Sequence, residues 1–453
     1  MTGQLLSPIN ILLIIIYLLI IGFIACLYAF NKYKDTPETK KIFLWGFIYK
    51  IFMGLAFAFV YVFYYKGESD TFYYFNNARY LGEMLFENPK AYFMMLFDLV
   101  NETNIYELGN NINYWPRFRD PAVYATHRYL SLFTIIGLKN YYITIICLNT
   151  FLFILNWKTY RYFSNLFPKY SKIIAICILF IPSATFWGSG ILKDSFTYTF
   201  SLVFIILFHK VFFAKKVSIM NIIKILFCAY IILSLKPYIF YSLLVSCFIW
   251  LGFIFIYKIK NKVVRVFILP VIILMVGFIG LRILSMVMDM VGGAYGDIEA
   301  LLNKAAISNY DLKQEYYQGA SFDIGDYEPT IQGALSVAPK AVIACFYRPY
   351  IWEVRSAVML LSSIENTILL LLSVLIILRV GIIRLFKEMK QNSFLIFCIV
   401  FTISLSLGVG LSTSNFGALV RFKIPMLPFF FMFLLIILKD HSEELKEKTP
   451  VQS

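Results

Sequence analysis

The sequence predicts an all-α, polytopic membrane protein, and three observations carry that prediction. Of its 453 residues 60% are hydrophobic and 15% charged, against the roughly 25% charged composition of a soluble domain. Apolar runs of about 20 residues recur from end to end, each long enough to cross a ~30 Å hydrocarbon layer as a helix. Tyrosines gather near the ends of those runs ("YVFYYK", "NYYITII", "FIFIYK"), where an amphipathic ring suits the headgroup boundary.

The first run, 9–30, has no basic leader and no small-residue cleavage site, and a second span follows at once. It therefore reads as a retained helix. About eleven spans are expected, at 9–30, 42–64, 141–157, 173–187, 195–213, 219–235, 238–257, 266–287, 357–378, 393–411 and 422–438. The pair around "LSLKPYIF" reads as two short spans meeting at Lys236-Pro237.

The connections alternate in charge. Lys32, Lys34, Lys40 and Lys41 follow the first span; Lys158, Arg161, Lys169 and Lys172 the third; Lys210, Lys215 and Lys216 the fifth. Lys258, Lys260, Lys262 and Arg265, then Arg379, Arg384, Lys387 and Lys390, continue the series. Lysine and arginine are retained on the cytoplasmic side, so these loops are expected inside, with the N-terminus outside and the tail 440–453 inside. The segments 65–140 and 288–356, rich in Asn, Tyr and Gly, are then external loops bearing helices. Four parts result: 1–41, a leading helix with its basic turn; 42–213, a module containing the first long loop; 214–439, a second module containing the other; and 440–453.

The formal net charge of +15 does not point to nucleic acid, because basic residues at the ends of apolar runs are the ordinary result of topology. Six of seven cysteines lie in or beside apolar runs without CxxC spacing, which offers neither a disulfide framework nor a zinc site. No HExxH or GxSxG motif is present. "GSGILKDS" lacks the second glycine of a P-loop and follows an apolar run instead of a strand. Gly188 and Gly190 suit a re-entrant turn packed against neighbouring backbone.

Chemistry is expected on the external face. Glu68 and Asp70 stand just beyond span 42–64, at the membrane surface. A helix beginning at Asp70 places Tyr73, Tyr74 and Asn77 on its face at i+3, i+4 and i+7, an aromatic and polar wall. Asp70 suits a general base there; Ser69 or Asp70 equally suits a helix N-cap. Lys193 and Asp194 carry the same ambiguity, between site residues on one side and interfacial snorkelling and capping on the other. Arg79, Arg117, Arg119, Arg128, Lys193, Lys236, Arg348, Arg355 and Arg421 share that face, and arginine forks match phosphate oxygens. Arg348 and Arg421 stand out because each precedes a proline and an aromatic-rich segment ("FYRPYIWEVR", "VRFKIPMLPFFF").

The order of parts, from "SDTFYYFNNARYL" through "HRYLSLFTIIGLKNYYITIICLN" to "IIAICILFIPSATFWGSGILKDSFTYTFSLVFIILF", resembles the module of GT-C membrane glycosyltransferases, over roughly residues 42–213. "NFGALVRFKIPMLPFF" looks like that family's Arg-x-x-x-Pro element. The resemblance implies a GT-C-like helical core and a sugar donor on a polyprenyl phosphate. It implies a catalytic Asp70 at the acceptor, with Lys193 and Asp194 lining the same site and Arg421 at the donor phosphate. Arg348 and Arg128 join the phosphate-binding set, and Glu68, Tyr73, Tyr74 and Asn77 the acceptor or sugar contacts. The extra span 9–30 and the single Asp70, where many members carry a more acidic motif, depart from the family pattern.

The expected function is transfer of sugar from that donor to a glycan, lipid or protein acceptor at the external face of an inner or plasma membrane. An O-antigen-type polysaccharide polymerase fits the loop 288–356 and "FYRPYIWEVRS" about as well. A lipid-linked sugar flippase or transporter, and a non-catalytic assembly component, are the other classes. No particular cofactor is implied; a divalent cation at Asp194 stays open as the weaker option, because a lone carboxylate has no identified co-ligand.

Overall fold

The computed structural model describes residues 7–66, 69–101, 103–114, 120–258, 261, 275, 278, 280–314 and 321–448. Among them the chain is helical throughout, with one isolated bridge, Ser321 to Asn415, and no strand. Among the described residues seven helices are long and apolar enough to cross a membrane, or eight if a bent pair is one span, so this is a multi-pass membrane protein. The helices are α1 (Pro8–Lys32), α2 (Pro37–Phe59), α3 (Asp70–Glu87), α4 (Pro89–Leu96), α5 (Pro121–Ile136), α6 (Tyr141–Leu166), α7 (Pro182–Trp187), α8 (Lys193–Phe212) and α9 (Ile219–Leu235). They continue with α10 (Pro237–Lys258), α11 (Ile298–Asp311), α12 (Ile331–Tyr347), α13 (Ala357–Arg379), α14 (Ile382–Gln391), α15 (Ser393–Ser412), α16 (Phe416–Phe422) and α17 (Leu427–Lys448).

Four of the eleven expected spans are not among these seven helices. Run 173–187 is not one helix: a helical turn at Ser171–Ala175 passes into a π turn at Ile176–Phe180, and Ile181 breaks the chain before Pro182 opens α7. α9 is a shorter apolar helix of 17 residues, and run 422–438 forms one arm of the α16–α17 pair, bent by 69°. Expected span 266–287 lies largely outside the described residues. In the other direction, the expected loop 288–356 contains α12, an apolar helix of 17 residues that accommodates Pro339.

The chain divides into two compact units, each built differently. The first comprises Met1–Tyr162, Thr185–Val203 and Tyr230–Lys236. In it α2 and α6 join through aromatic edges, Phe43 lying 5.3 Å from Phe153 and 5.0 Å from Trp157. The expected loop 65–140 carries a core of its own, where Leu81, Met84, Tyr92, Met95 and Tyr124 pack together. α3 and α5 approach closely because Gly82 offers no side chain to the Thr134 hydroxyl opposite it. α1 packs on α2 near its C-terminal end, where Ala29 is buried and Tyr28 lies 5.4 Å from Phe43, while its most apolar window is unburied and Tyr17 reaches the Ile136 carbonyl at 3.0 Å.

The second unit comprises Phe163–Ala184, Phe204–Ala229 and Pro237–Ser453. It is organised around α15, which packs on α10, α11, α12 and α17. The rings of Phe397 and Phe401 of α15 stand nearly perpendicular to Phe429, each with its centroid 5.4 Å away. At Gly410 the α15 backbone lies against the Ala341 carbonyl of α12, a close approach that any Cβ would block. The far end of α17 is held by polar contacts: Lys169 lies 2.5 Å from Asp440 and 2.8 Å from Glu443, and Arg384 of α14 pairs with Glu444.

Candidate functional site

The site in the first unit is built around a backbone requirement. Between α7 and α8 the chain leaves helical geometry over residues 188–192 while staying buried. Carbonyls at such a place have to find donors inside the protein. Lys50 of α2 donates to Gly188 O at 2.6 Å, Asn149 of α6 to Ser189 O at 2.8 Å, and the Ser195 hydroxyl to Gly190 O at 2.6 Å. Gly190 is required because a Cβ there would overlap the Phe57 ring, itself stacked on Tyr61 at 4.3 Å. The turn expected from "GSGILKDS" is present, and its carbonyls are tied to three different helices.

That turn delivers Lys193 and Asp194 as the first residues of α8. Asp194 is 2% exposed, and its Oδ1 lies 2.5 Å from Nζ of Lys236, which follows α9. This carboxylate is therefore neutralised by a lysine from another element, and an ammonium in contact leaves it a poor donor for a divalent cation. Among the described residues no group of three or more His, Cys, Asp and Glu side chains is arranged to hold a metal.

Lys193 turns to a different set of groups. Its Nζ lies 3.8 Å from Asp120 Oδ2 and 5.8 Å from the centroid of the Tyr74 ring. Asp120 is the N-cap of α5: its Oδ1 accepts from the backbone N–H of Ala122 and Val123 at 2.9 and 3.1 Å, and Oδ2 is left toward the lysine. Two turns along α5, His127 is fully buried, with its ring 5.5 Å from Tyr73 and 6.0 Å from Tyr74. Burial, followed by the neighbouring Lys193 charge, pushes its imidazole down to about 3 against an opposing pull from Asp120, so His127 is neutral near pH 7.

The helix expected to begin at Asp70 does so. Its first turn is anchored by a hydrogen bond between the Thr71 and Tyr141 hydroxyls at 3.0 Å and by Phe72 stacked on Tyr141 at 4.6 Å. Ser69 occupies the N-cap position without a side-chain capping bond, and Asp70 is the first helical residue, exposed, at the positive end of the helix dipole. Tyr74 lies one turn from Asp70 on the same face, and Tyr73 is 51% exposed. Asn77 donates back to Tyr73 O at 2.8 Å.

The remaining expected residues fall elsewhere. Glu68 lies outside the described residues. Arg128 is next to His127 in sequence, but one residue along a helix rotates the side chain by about 100°. It is 3% exposed and bonds Tyr230 OH at 3.1 Å, with Asp98 at 3.7 Å and the Tyr124 ring at 5.1 Å. Arg348 belongs to the second unit, where Glu353 accepts from its Nε at 3.0 Å and its Nη2 at 2.5 Å, and the rings of Phe322 and Phe416 stand 5.2 and 5.7 Å away. In the Arg-x-x-x-Pro stretch Arg421 is partly exposed and the fully inward cation is Lys423, 1% exposed.

Lys50, Asn149, Asp120 and His127 escaped selection from sequence as site residues. Lys50 had a usable signal, since a lysine inside an apolar span is functional or structural by necessity. Asp120 had one too, as "DPAVY" is an N-cap followed by proline at the first helical position. No family model, curated protein or solved structure matches the chain.

Proposed function

We propose that this protein is a membrane glycosyltransferase that moves a sugar from a polyprenyl-phosphate donor to an acceptor hydroxyl, with the reaction placed beside α3 and the start of α8. The observation that carries this reading is the juxtaposition of an exposed carboxylate, Asp70, one helical turn from Tyr74, with the Lys193 ammonium lying 5.8 Å from that tyrosine ring. Asp70 accepts the proton of the acceptor hydroxyl, which attacks the anomeric carbon as the bond to the lipid phosphate breaks. Lys193 meets the charge that develops on the leaving phosphate, and Tyr73 offers the sugar an aromatic face. Asp194 serves as a positioning residue through Lys236.

The neutral state of His127 supports this reading. A second positive charge on His127 would repel Lys193, whereas a neutral ring leaves one cation at the aromatic wall. The same phosphate chemistry serves a polymerase that uses polyprenyl-linked repeats. A flippase reading is favoured by a separate observation, the burial of Lys50 and Glu365 inside apolar spans.

The test is release of lipid phosphate when the reconstituted full-length protein meets polyprenyl-phosphate sugar and acceptor. Asp70→Asn is expected to lower turnover by about 100-fold or more, the usual contribution of a general base. Turnover unchanged in Asp70→Asn overturns the assignment, and movement of labelled lipid across the bilayer without bond cleavage selects the flippase.

A further inference from the structure

The second unit contains buried ionisable groups that the proposed reaction does not use. α13 is apolar enough to cross a membrane, yet Glu365 on it is 5% exposed, beside Ser362 at 1%, Ser363 at 0% and Asn366 at 1%. Among the described residues Ser183 supplies the hydrogen bonds to this carboxyl: its N–H donates to Oε1 at 2.5 Å, and its hydroxyl donates to Oε2. Lys423, in the bend between α16 and α17, is buried at the same core. Its ammonium donates to Cys345 O at 3.0 Å, Arg348 O at 3.0 Å and Asn366 Oδ1 at 2.8 Å.

Glu365 and Lys423 interact electrostatically, but no direct ion pair joins them among the described residues. A buried pair kept for structure gains most from direct contact, because only that offsets the cost of taking both charges out of water. Here each group sits in a cage of neutral partners. Lys423 fills its three donors with oxygens that want a full ammonium. Glu365 faces a hydroxyl, which serves either protonation state: Ser183 Oγ–H donates to a carboxylate, and by rotating it accepts from a carboxylic acid. The cage therefore survives the arrival of a proton.

We propose that Glu365 is a proton-binding site within the membrane-embedded part of the second unit, taking up one proton on its carboxylate while Lys423 stays charged. The other titratable groups on elements packed against α13 are Lys340, which is exposed, Cys345, Tyr347 and the Arg348–Glu353 pair on or just beyond α12, and Arg421 of α16. α17 carries none before Lys439, at its far end. Lys423 is thus the charge that governs occupancy.

Dicyclohexylcarbodiimide couples to protonated carboxyls in apolar surroundings, so the detergent-solubilised full-length protein is treated with it across pH 5 to 9 and adducts are mapped by peptide mass spectrometry. The expected result is an adduct on Glu365 whose yield falls about 10-fold or more as pH rises, since deprotonation is tenfold per pH unit beyond the midpoint. Lys423→Gln is expected to raise the yield at fixed pH, and Glu365→Gln to abolish it. Infrared difference spectra between the pH extremes give a second reading, a carboxylic carbonyl band that Glu365→Gln lacks. Absence of both the adduct and the band in the wild-type protein, or a yield independent of pH, overturns the proposal and leaves a permanently ionised structural group. Because neither readout involves sugar transfer, its failure is distinct from failure of the glycosyltransferase assignment.

Discussion

His127 shows how a single side chain reports on its surroundings. Its folded value near 3 lies below the usual 6.5, so the unfolded chain binds the proton first and stability is lost as pH falls from above 6.5 toward 3. Between pH 7 and pH 5 the loss from this one group is about 2 kcal/mol. Thermal unfolding of the detergent-solubilised protein at the two pH values is expected to show it, and His127→Phe is expected to flatten the slope by that amount. An unchanged slope would mean that the imidazole titrates normally. This environment was not legible beforehand, since in the sequence His127 is an isolated histidine beside Arg128. Its partners, Tyr73 and Tyr74, are more than fifty positions away, and no local pattern encodes such a distance. The Asp70 helix was legible for the opposite reason, because its period and its acidic first turn are written within a few neighbouring residues.

Glycine decides the closest contacts between elements. A Cβ at Gly410 would overlap the Ala341 carbonyl, while Gly408, one step round the same helix, has nothing within 4 Å of that position. Gly410→Ala is therefore expected to push α12 from α15 and cost about 1–3 kcal/mol, and Gly408→Ala to be neutral or slightly stabilising. Comparison of the two melting temperatures checks it; equal effects would contradict the packing described. Helix existence was legible from hydropathy, but helix continuity was not. Run 173–187 is apolar throughout, and its break at Ile181–Pro182 depends on a proline and on Ser183, whose N–H goes to Glu365 instead of a helix carbonyl. Apolar length also failed in the other direction: α12 lay hidden in an expected loop because Gln332, Ser336 and Lys340 break up its apolar run and Pro339 interrupts its pattern.

At the scale of the whole molecule, charge alternation between loops gives an orientation that a labelling experiment checks. With the N-terminus outside, a cysteine placed at Tyr106, 70% exposed, is expected to react with a membrane-impermeant maleimide in intact cells. One placed at exposed Lys216 is expected to react after lysis only. The reverse pattern would invert the topology and move the Asp70 side of α3 to the cytoplasm. The native cysteines interfere little, since five of the seven are buried.

Lys50 has a further consequence, which concerns biosynthesis. Its acceptor, Gly188 O, lies 138 positions later in the chain. At ~5–20 residues per second the ribosome takes about 7 to 28 s to make that stretch. For that interval the segment containing α2 is already a membrane passenger, carrying a lysine whose acceptor has not been synthesised. Lysine at the centre of a span costs about 2.5–3.5 kcal/mol at insertion. The segment Pro37–Tyr64 meets this with its own apolar residues, an 18-residue window of it reaching a mean hydropathy of 1.9. The late-made turn thus docks onto a helix already resident in the bilayer, and the lysine that waited there fixes where it lands.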